Sequence, residues 1–420
     1  MDIVLIATIV TVSLALLFDF TNGFHDAANA TSTVIATKSL KPRTAVIVSS
    51  LFNFLPAFVV GTAVANTISK TVSIDKLPEV AAGAVPYGIR VTLAALLGAI
   101  FWNYFTWSLG LPSSSSHALI GGLIGAGLSA GGTDVISWDK VKTTAEAIVA
   151  SPAIAFLIAM VAMWLVRLIQ KIFSLDENSE FFRWGQVGSS AWLSWAHGSN
   201  DAQKTMGVIA ATLYAGGYLQ AADSASLQPT TWVIFGAHLA IAAGTVWGGW
   251  RIIETMGLKI TRISRASGFA ANIGAISAIE GATYSGIPIS TTHAAASSVT
   301  GSGVGAGRPV HWGVMRNMAF AWIVTLPAGA TVSYFVFKLT VLPGVWSVVT
   351  TLITIIGLLI WAGRLMLRAD TAADIARKIE EGEEIIGTGF GFQVSQASDE
   401  EIAQSRQVPP TPIRKDDSLN

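Results

Sequence analysis

Polar residues able to bind ions recur twice along this 420-residue chain, in nearly the same order. The stretch Asn22-Gly23-Phe24-His25-Asp26-Ala27-Ala28-Asn29 is answered by His197-Gly198-Ser199-Asn200-Asp201-Ala202-Gln203-Lys204. Likewise Pro112-Ser113-Ser114-Ser115-Ser116-His117 is answered by Pro288-Ile289-Ser290-Thr291-Thr292-His293. Asp26 and Asp201 lie 175 residues apart, His117 and His293 176, so the two motifs are displaced by nearly the same distance. That pattern points to one half-protein used twice. Both motifs sit in apolar sequence, where an isolated carboxylate costs several kcal/mol unless a cation or a donor meets it. Aspartate beside asparagine and hydroxyls is a hard, oxygen-rich set suited to a small hard cation. Asn22, Asp26, Asn200 and Asp201, with Asn29 beside them, are therefore candidate ligands for coupling sodium ions. A proton carried by Asp26 or Asp201 is the functional rival. For the second copy, Lys204 could instead neutralise Asp201 three residues earlier on a helix.

The second motif supplies the opposite charge preference. Proline breaks an incoming helix, and serine or threonine caps the next one. Exposed N–H groups and the helix dipole make such a start an anion site. Two starts aimed at one point could give an oxyanion backbone donors and the hydroxyls of Ser114, Ser115, Ser116, Ser290, Thr291 and Thr292. Asn29 and Gln203 are assigned to the anion with them. The plainer reading is that these hydroxyls only cap helices and let them pack closely. His117 and His293 follow the hydroxyls at equal positions and are read as support for the anion-binding loops. Glu280 is a further acid at membrane depth without a twin, fit for an extra cation, a gate or a packed hydrogen bond. An intramembrane enzyme pairing Ser116 with His117, or Thr292 with His293, is disfavoured because adjacent helical residues do not face each other. A passive anion channel is a third class, excluded by sodium-dependent accumulation against a gradient. The run Gly301-Ser302-Gly303-Val304-Gly305 has no strand before it and reads as close helix packing rather than a nucleotide loop.

Positioning these groups falls to apolar helices. The chain is 52% hydrophobic and 12% charged, with a mean hydropathy of +0.56; soluble proteins carry roughly a quarter charged residues. A crossing needs about 20 apolar residues. The candidates are 3–18, 44–67, 89–110, 144–173, 229–250, 266–286, 316–339 and 344–366. The first, which lacks a basic start and runs into the first motif, is read as mature sequence. The motif-bearing segments 19–37, 112–129, 184–213 and 288–305 are rich in small and hydroxyl residues. They are read as broken or re-entrant helices, tolerated when buried against protein. The tryptophans near span ends, among them Trp102, Trp107, Trp192, Trp195, Trp247 and Trp250, fit interfacial belts. The expected fold is thus an all-α polytopic membrane protein. Residues 1–174 form a first repeat, 175–343 a second, 344–368 an added transmembrane helix and 369–420 an acidic, partly disordered tail. That tail holds 11 acids and 5 bases, leaving 15 acids and 21 bases for residues 1–368. Loop 38–43 carries Lys38, Lys41 and Arg43, and loop 251–265 carries Arg251, Lys259, Arg262 and Arg265 against Glu254. Their equivalents in the other half lack that excess, which predicts inverted repeats with the N-terminus outside. No nucleic-acid partner is indicated, and the absence of cysteine rules out disulfides and thiolate metal sites.

The paired Asn-Asp motifs, fullest in Ala196–Lys204, and Ile287-Pro288-Ile289-Ser290-Thr291-Thr292-His293 resemble the signature of the PiT inorganic phosphate transporter family. The resemblance spans residues 20 to about 310. It implies a multi-pass protein of the cell membrane that moves inorganic phosphate with sodium or protons, without a resident cofactor. It also implies inverted halves, a transport region held against a scaffold, and a homodimer. The first copy has His25 where the family usually has asparagine. Animal relatives carry intramembrane glutamates where this chain has Asn53 and Asn272, and amides ligate sodium without shuttling protons. Sodium is therefore the expected coupling ion, with protons, metal-phosphate symport or sulfate as the alternatives. Phosphate leads over sulfate because its remaining O–H can satisfy a buried carboxylate.

Overall fold

The computed structural model describes residues 2–81, 83–221, 227–369 and 371–381. It is helical throughout, and its element pattern runs through twice. α1 (Ile3–Ala36) is a long helix, followed by α2 (Pro42–Phe54) and the short α3 (Ala63–Ser69). The hairpin α4 (Tyr87–Ser108) and α5 (Ser115–Gly131) comes next, then the long α6 (Trp138–Phe173). The second pass has α7 (Glu180–Ala215), α8 (Thr231–Trp247), α9 (Trp250–Leu258), α10 (Arg265–Tyr284), α11 (Thr291–Gly305) and α12 (Trp312–Thr340). α13 (Trp346–Leu367) and the short α14 (Ala372–Glu381) follow. Details repeat with the elements. Prolines inside α6 and α12, Pro152 and Pro327, correspond. So do two isolated bridges, Val72 with Ile136 and Thr261 with Val310. Gly110 (φ 64°) and Gly286 (φ 67°) turn the chain at equivalent places in the two hairpins. Both lie in the left-handed region that residues with a Cβ rarely adopt.

The halves are interleaved rather than stacked. α1 packs on α8 and α9, while α7 packs on α2 and α3. The hairpin helix α5 lies along α12 of the other half, and α11 lies along α6. Small residues permit this: a methyl at Gly125 would strike the Ala330 carbonyl, and one at Gly301 the Phe156 carbonyl. The glycine run 301–305 is therefore a packing surface, as expected. Outward, α6, α12 and α13 present large apolar side chains such as Leu157, Trp164, Ile323 and Ile353, as a lipid-facing wall requires.

The breaks fall elsewhere than the motif composition suggests. Segments 19–37 and 184–213 lie within the continuous helices α1 and α7. Neither contains proline. Their hydroxyls bond back along the same helix, as in Thr31 Oγ1 to the Ala27 carbonyl (2.7 Å) and Thr212 Oγ1 to the Val208 carbonyl (2.8 Å). Polarity here lines a face without interrupting the ladder. The broken spans are 44–67 and 229–250, expected to be plain crossings. Pro42–Phe58 meets Ala63–Ser69 at 84°, and Thr231–Trp247 meets Trp250–Leu258 at 72°. Pro56 interrupts the first, and Gly248 with φ 75° turns the second. Residues 251–258 are consequently helical, as part of α9, which leaves only 259–264 as a loop before α10. Segments 112–129 and 288–305 do begin as short helices at buried caps. Two belt tryptophans are interior: Trp107 is 2% and Trp250 8% exposed. Trp107 packs against Phe24, ring centroids 4.8 Å apart, beneath the Arg251 guanidinium. In the tail, α14 covers Ala372–Glu381; residues 382–420 lie outside the described part.

Candidate ion-binding site at the crossing of the two halves

The hydroxyl motifs build two matching helix tips. Ser114 caps α5 by accepting from the His117 N–H (3.2 Å), and Ser290 caps α11 by accepting from the His293 N–H (3.2 Å). The hairpins bring these tips face to face, and the His117 and His293 rings meet edge-on with centroids 4.6 Å apart. Trp322 of α12 ties the tips together. Its ring stacks on His293 at 4.0 Å, while its Nε1 donates to the Pro112 carbonyl (3.0 Å). Two positive dipole ends thus converge on one buried volume. The Ser115 hydroxyl there, at the first position of α5, is buried and lacks a protein partner.

α1 and α7 pass beside the tips and deliver the carboxylates. Thr291 Oγ1 lies 3.4 Å from Asp26 Oδ2 and 3.2 Å from Asp201 Oδ2. Asn29 Nδ2 is 3.3 Å from both the Thr291 and the Thr292 hydroxyls. Asn22 Nδ2 donates to Asp201 Oδ2 (3.1 Å). Lys204 Nζ donates to Asp201 Oδ1 (2.5 Å), Ser116 Oγ (2.5 Å) and the Ile289 carbonyl (2.8 Å). One ammonium therefore joins α7 to both tips. Asp26 has a softer companion: His25 Nδ1 donates to its Oδ1 at 2.6 Å. His197 Nδ1 donates to Asn53 Oδ1 (3.0 Å), and its Nε2 stands 3.4 Å from Asp201 Oδ2. Ligand atoms of Asp26, His197 and Asp201 lie within 4.8 Å of one another, close enough to share a cation. Asp26, Asp201, Ser116 and Thr291 are all at most 3% exposed, so the site is closed to both sides.

The structure thus brings together Asn22, Asp26, Asn29, Asp201, Lys204, Ser115, Ser116, Thr291, Thr292, His117 and His293. Three other candidates are placed differently. Gln203 Oε1 accepts from the Val64 N–H (2.8 Å), which secures the start of α3. Asn200 Nδ2 donates to Thr283 Oγ1 (2.9 Å), which fastens α7 to the end of α10. Glu280 is half-buried on the flank of α10, with Trp192 Nε1 3.4 Å away. Asn53 and Asn272 are engaged with protein: Asn53 donates to Thr245 (2.8 Å), and Asn272 Nδ2 to Ser189 (3.0 Å). Sequence reading missed Trp322, which looks like another span tryptophan, and Asp19, which stood at a presumed helix break. The signal for Asp19 was present. Positions 19, 22, 26 and 29 follow helical spacing, so Asp19, Asn22, Asp26 and Asn29 share one face of an unbroken α1.

A multi-pass helical membrane protein with paired, buried helix tips and carboxylates between its halves has the build of a transporter. The comparisons specify which kind. Residues 22–333 match the profile of the phosphate transporter family, and the chain belongs to that family. It is 43% identical over 333 residues to a probable low-affinity inorganic phosphate transporter of Rhizobium meliloti, covering 77% of this chain and 93% of that one. A Bacillus subtilis protein of the same description is 41% identical over 343 residues, covering 81% and 99%. Among solved structures, one titled as the sodium-dependent phosphate transporter superposes with a TM-score of 0.67 at 22% identity, covering 79% of this chain and 98% of that chain. That match speaks for the fold. The chain is accordingly a phosphate transporter, spanning the membrane several times, and not an enzyme.

Proposed function

We propose that the chain is a secondary symporter that imports inorganic phosphate with sodium by alternating access. Residues 1–174 and 175–343 act as inverted repeats in this reading. The observation that carries it is the meeting of the two capped tips beside Asp26 and Asp201, with Thr291 in reach of both carboxylates. Phosphate would lie against the tips, taking backbone donors and the Ser115, Ser116, Thr291 and Thr292 hydroxyls. Its own O–H would be accepted by Asp26 or Asp201, which sulfate, having no proton, cannot satisfy. Sodium held by Asp26 cancels that carboxylate's charge first and makes the pocket attractive to the anion. Asp201 already has the Lys204 ammonium, so the sodium expected from Asn200 and Asp201 is replaced there by a tethered cation. The loaded centre is then exposed alternately as one interleaved bundle rocks against the other. The titled sodium dependence of the solved relative supports this choice of ion.

Proton coupling is favoured by one specific observation, the 2.6 Å contact of His25 with Asp26, which could carry a proton. Uptake of labelled phosphate into proteoliposomes, with imposed sodium or proton gradients and competing sulfate, separates the readings. Sodium-driven accumulation that sulfate does not inhibit is the expected result; accumulation driven only by protons would overturn sodium coupling. The family resemblance implies a homodimer, which crosslinking in the membrane would test.

A further inference from the structure

Asp19 lies on α1 two turns before Asp26 and has no exposed surface (0%). Neither of its carboxylate oxygens has a hydrogen-bond partner. Thr205 and Asn22 flank it, and the charges of Asp201 and Lys204 are near enough to act on it. Thr205 Oγ1 and Asn22 Oδ1 are themselves buried without partners, and Asn22 gives an N–H to Asp201. A carboxylate, an amide carbonyl and a hydroxyl are thus gathered away from water, and the nearest donors, the Thr205 hydroxyl and the Asn22 amide, are neutral and make no well-formed bond to Asp19. Burying an uncompensated carboxylate costs several kcal/mol, so the group either takes up a proton or meets a cation.

No neighbouring group supplies it. An ammonium has three protons, and those of Lys204 go to Asp201, Ser116 and Ile289. The Nδ1 atoms of His25 and His197 are turned to Asp26 and Asn53. We propose that Asp19, Asn22 and Thr205 form a further sodium site, linked to the central one through the Asn22 amide. One carboxylate with two neutral oxygens suits a small monovalent ion, whereas calcium takes six to eight oxygens and usually more charge. Asn22 couples the two places: its carbonyl oxygen joins the Asp19 ion while its N–H holds Asp201. Filling the Asp19 site therefore steadies the carboxylate that anchors Lys204 and, through it, both tips. The inference rests on the reading of the core as cation-coupled.

The test is equilibrium binding of labelled sodium to the purified full-length protein, in choline buffer without phosphate. Asp19→Asn should bind one sodium ion fewer per chain than the wild type, and Asp19→Glu should keep the wild-type number. Thr205→Val should keep the number but weaken one site by about tenfold. An unchanged count in a folded Asp19→Asn protein overturns the site. Should that variant fail to fold, wild-type sodium affinity in Thr205→Val overturns it instead. A wild type that takes up phosphate only with protons, yet loses a bound sodium in Asp19→Asn, would end sodium coupling and leave the site standing.

Discussion

Asp26 and Asp201 occupy equivalent places on α1 and α7, but their surroundings have diverged. Asp201 is clamped by the Lys204 ammonium at 2.5 Å, which also reaches Ser116 and Ile289. Asp26 has an imidazole at 2.6 Å and a threonine hydroxyl at 3.4 Å. A fixed cation makes the second half a structural clamp, whereas in the proposed mechanism the first half takes its cation from solution. The two helices offer the same kind of frame, and a few side chains make the difference. Under the proposed function, near-symmetric tips would hold the anion while the unsymmetric carboxylates leave Asp26 for a mobile cation.

The sharpest way to break this contrast is Lys204→Met. Removing one partner of a buried ion pair leaves the other charge uncompensated, at a cost of roughly 3–5 kcal/mol. Phosphate uptake should fall to background and the unfolding midpoint should drop. Adding Asp201→Asn should recover most of the stability without the uptake; retained transport by Lys204→Met alone would refute the clamp. Asp26→Asn comes next. It should leave unfolding near wild type yet remove sodium stimulation of uptake, the reverse of the Lys204 pattern. The tips give smaller, graded effects. Ser115→Ala should raise the phosphate KM several-fold with little change in stability, because that hydroxyl has no protein partner. Thr291→Val should raise KM and also destabilise by about 1 kcal/mol, having lost bonds within the protein. Equal stability losses from the two would erase the distinction. The smallest effect belongs to Glu280→Gln, for which uptake should stay within about twofold, as for a side chain away from the site.

Much of the site was legible because its residues violate the chemistry of their surroundings. Paired aspartates and Pro–hydroxyl–His runs in apolar sequence have few structural uses, and their nearly equal displacement points to one shared centre. Helix continuity was not legible in the same way. Small and hydroxyl residues at 19–37 resemble those of a broken span, but composition does not say whether a hydroxyl bonds its own helix or a neighbour. The true breaks at Pro56 and Gly248 sit in strongly apolar stretches that satisfy any hydropathy criterion. Misplacing the break hid Asp19, since the stripe 19, 22, 26, 29 exists only on an uninterrupted helix. Gln203 and Asn200 show another limit. Their motif is shared with Asp201, yet neighbouring positions on a helix point to different partners, and only the packing of α3 and α10 reveals where each amide goes.

The interleaving of the halves has a consequence for how the protein is made. α6 rests against α10 and α11, and α1 against α8 and α9, all of which leave the ribosome long after their partners. Until then, the glycine-lined grooves and bare carboxylates of the early half stand in the bilayer without the surfaces meant to cover them. Insertion must therefore run ahead of tertiary assembly, and a chain halted after α6 is an orphan for quality control rather than half a carrier.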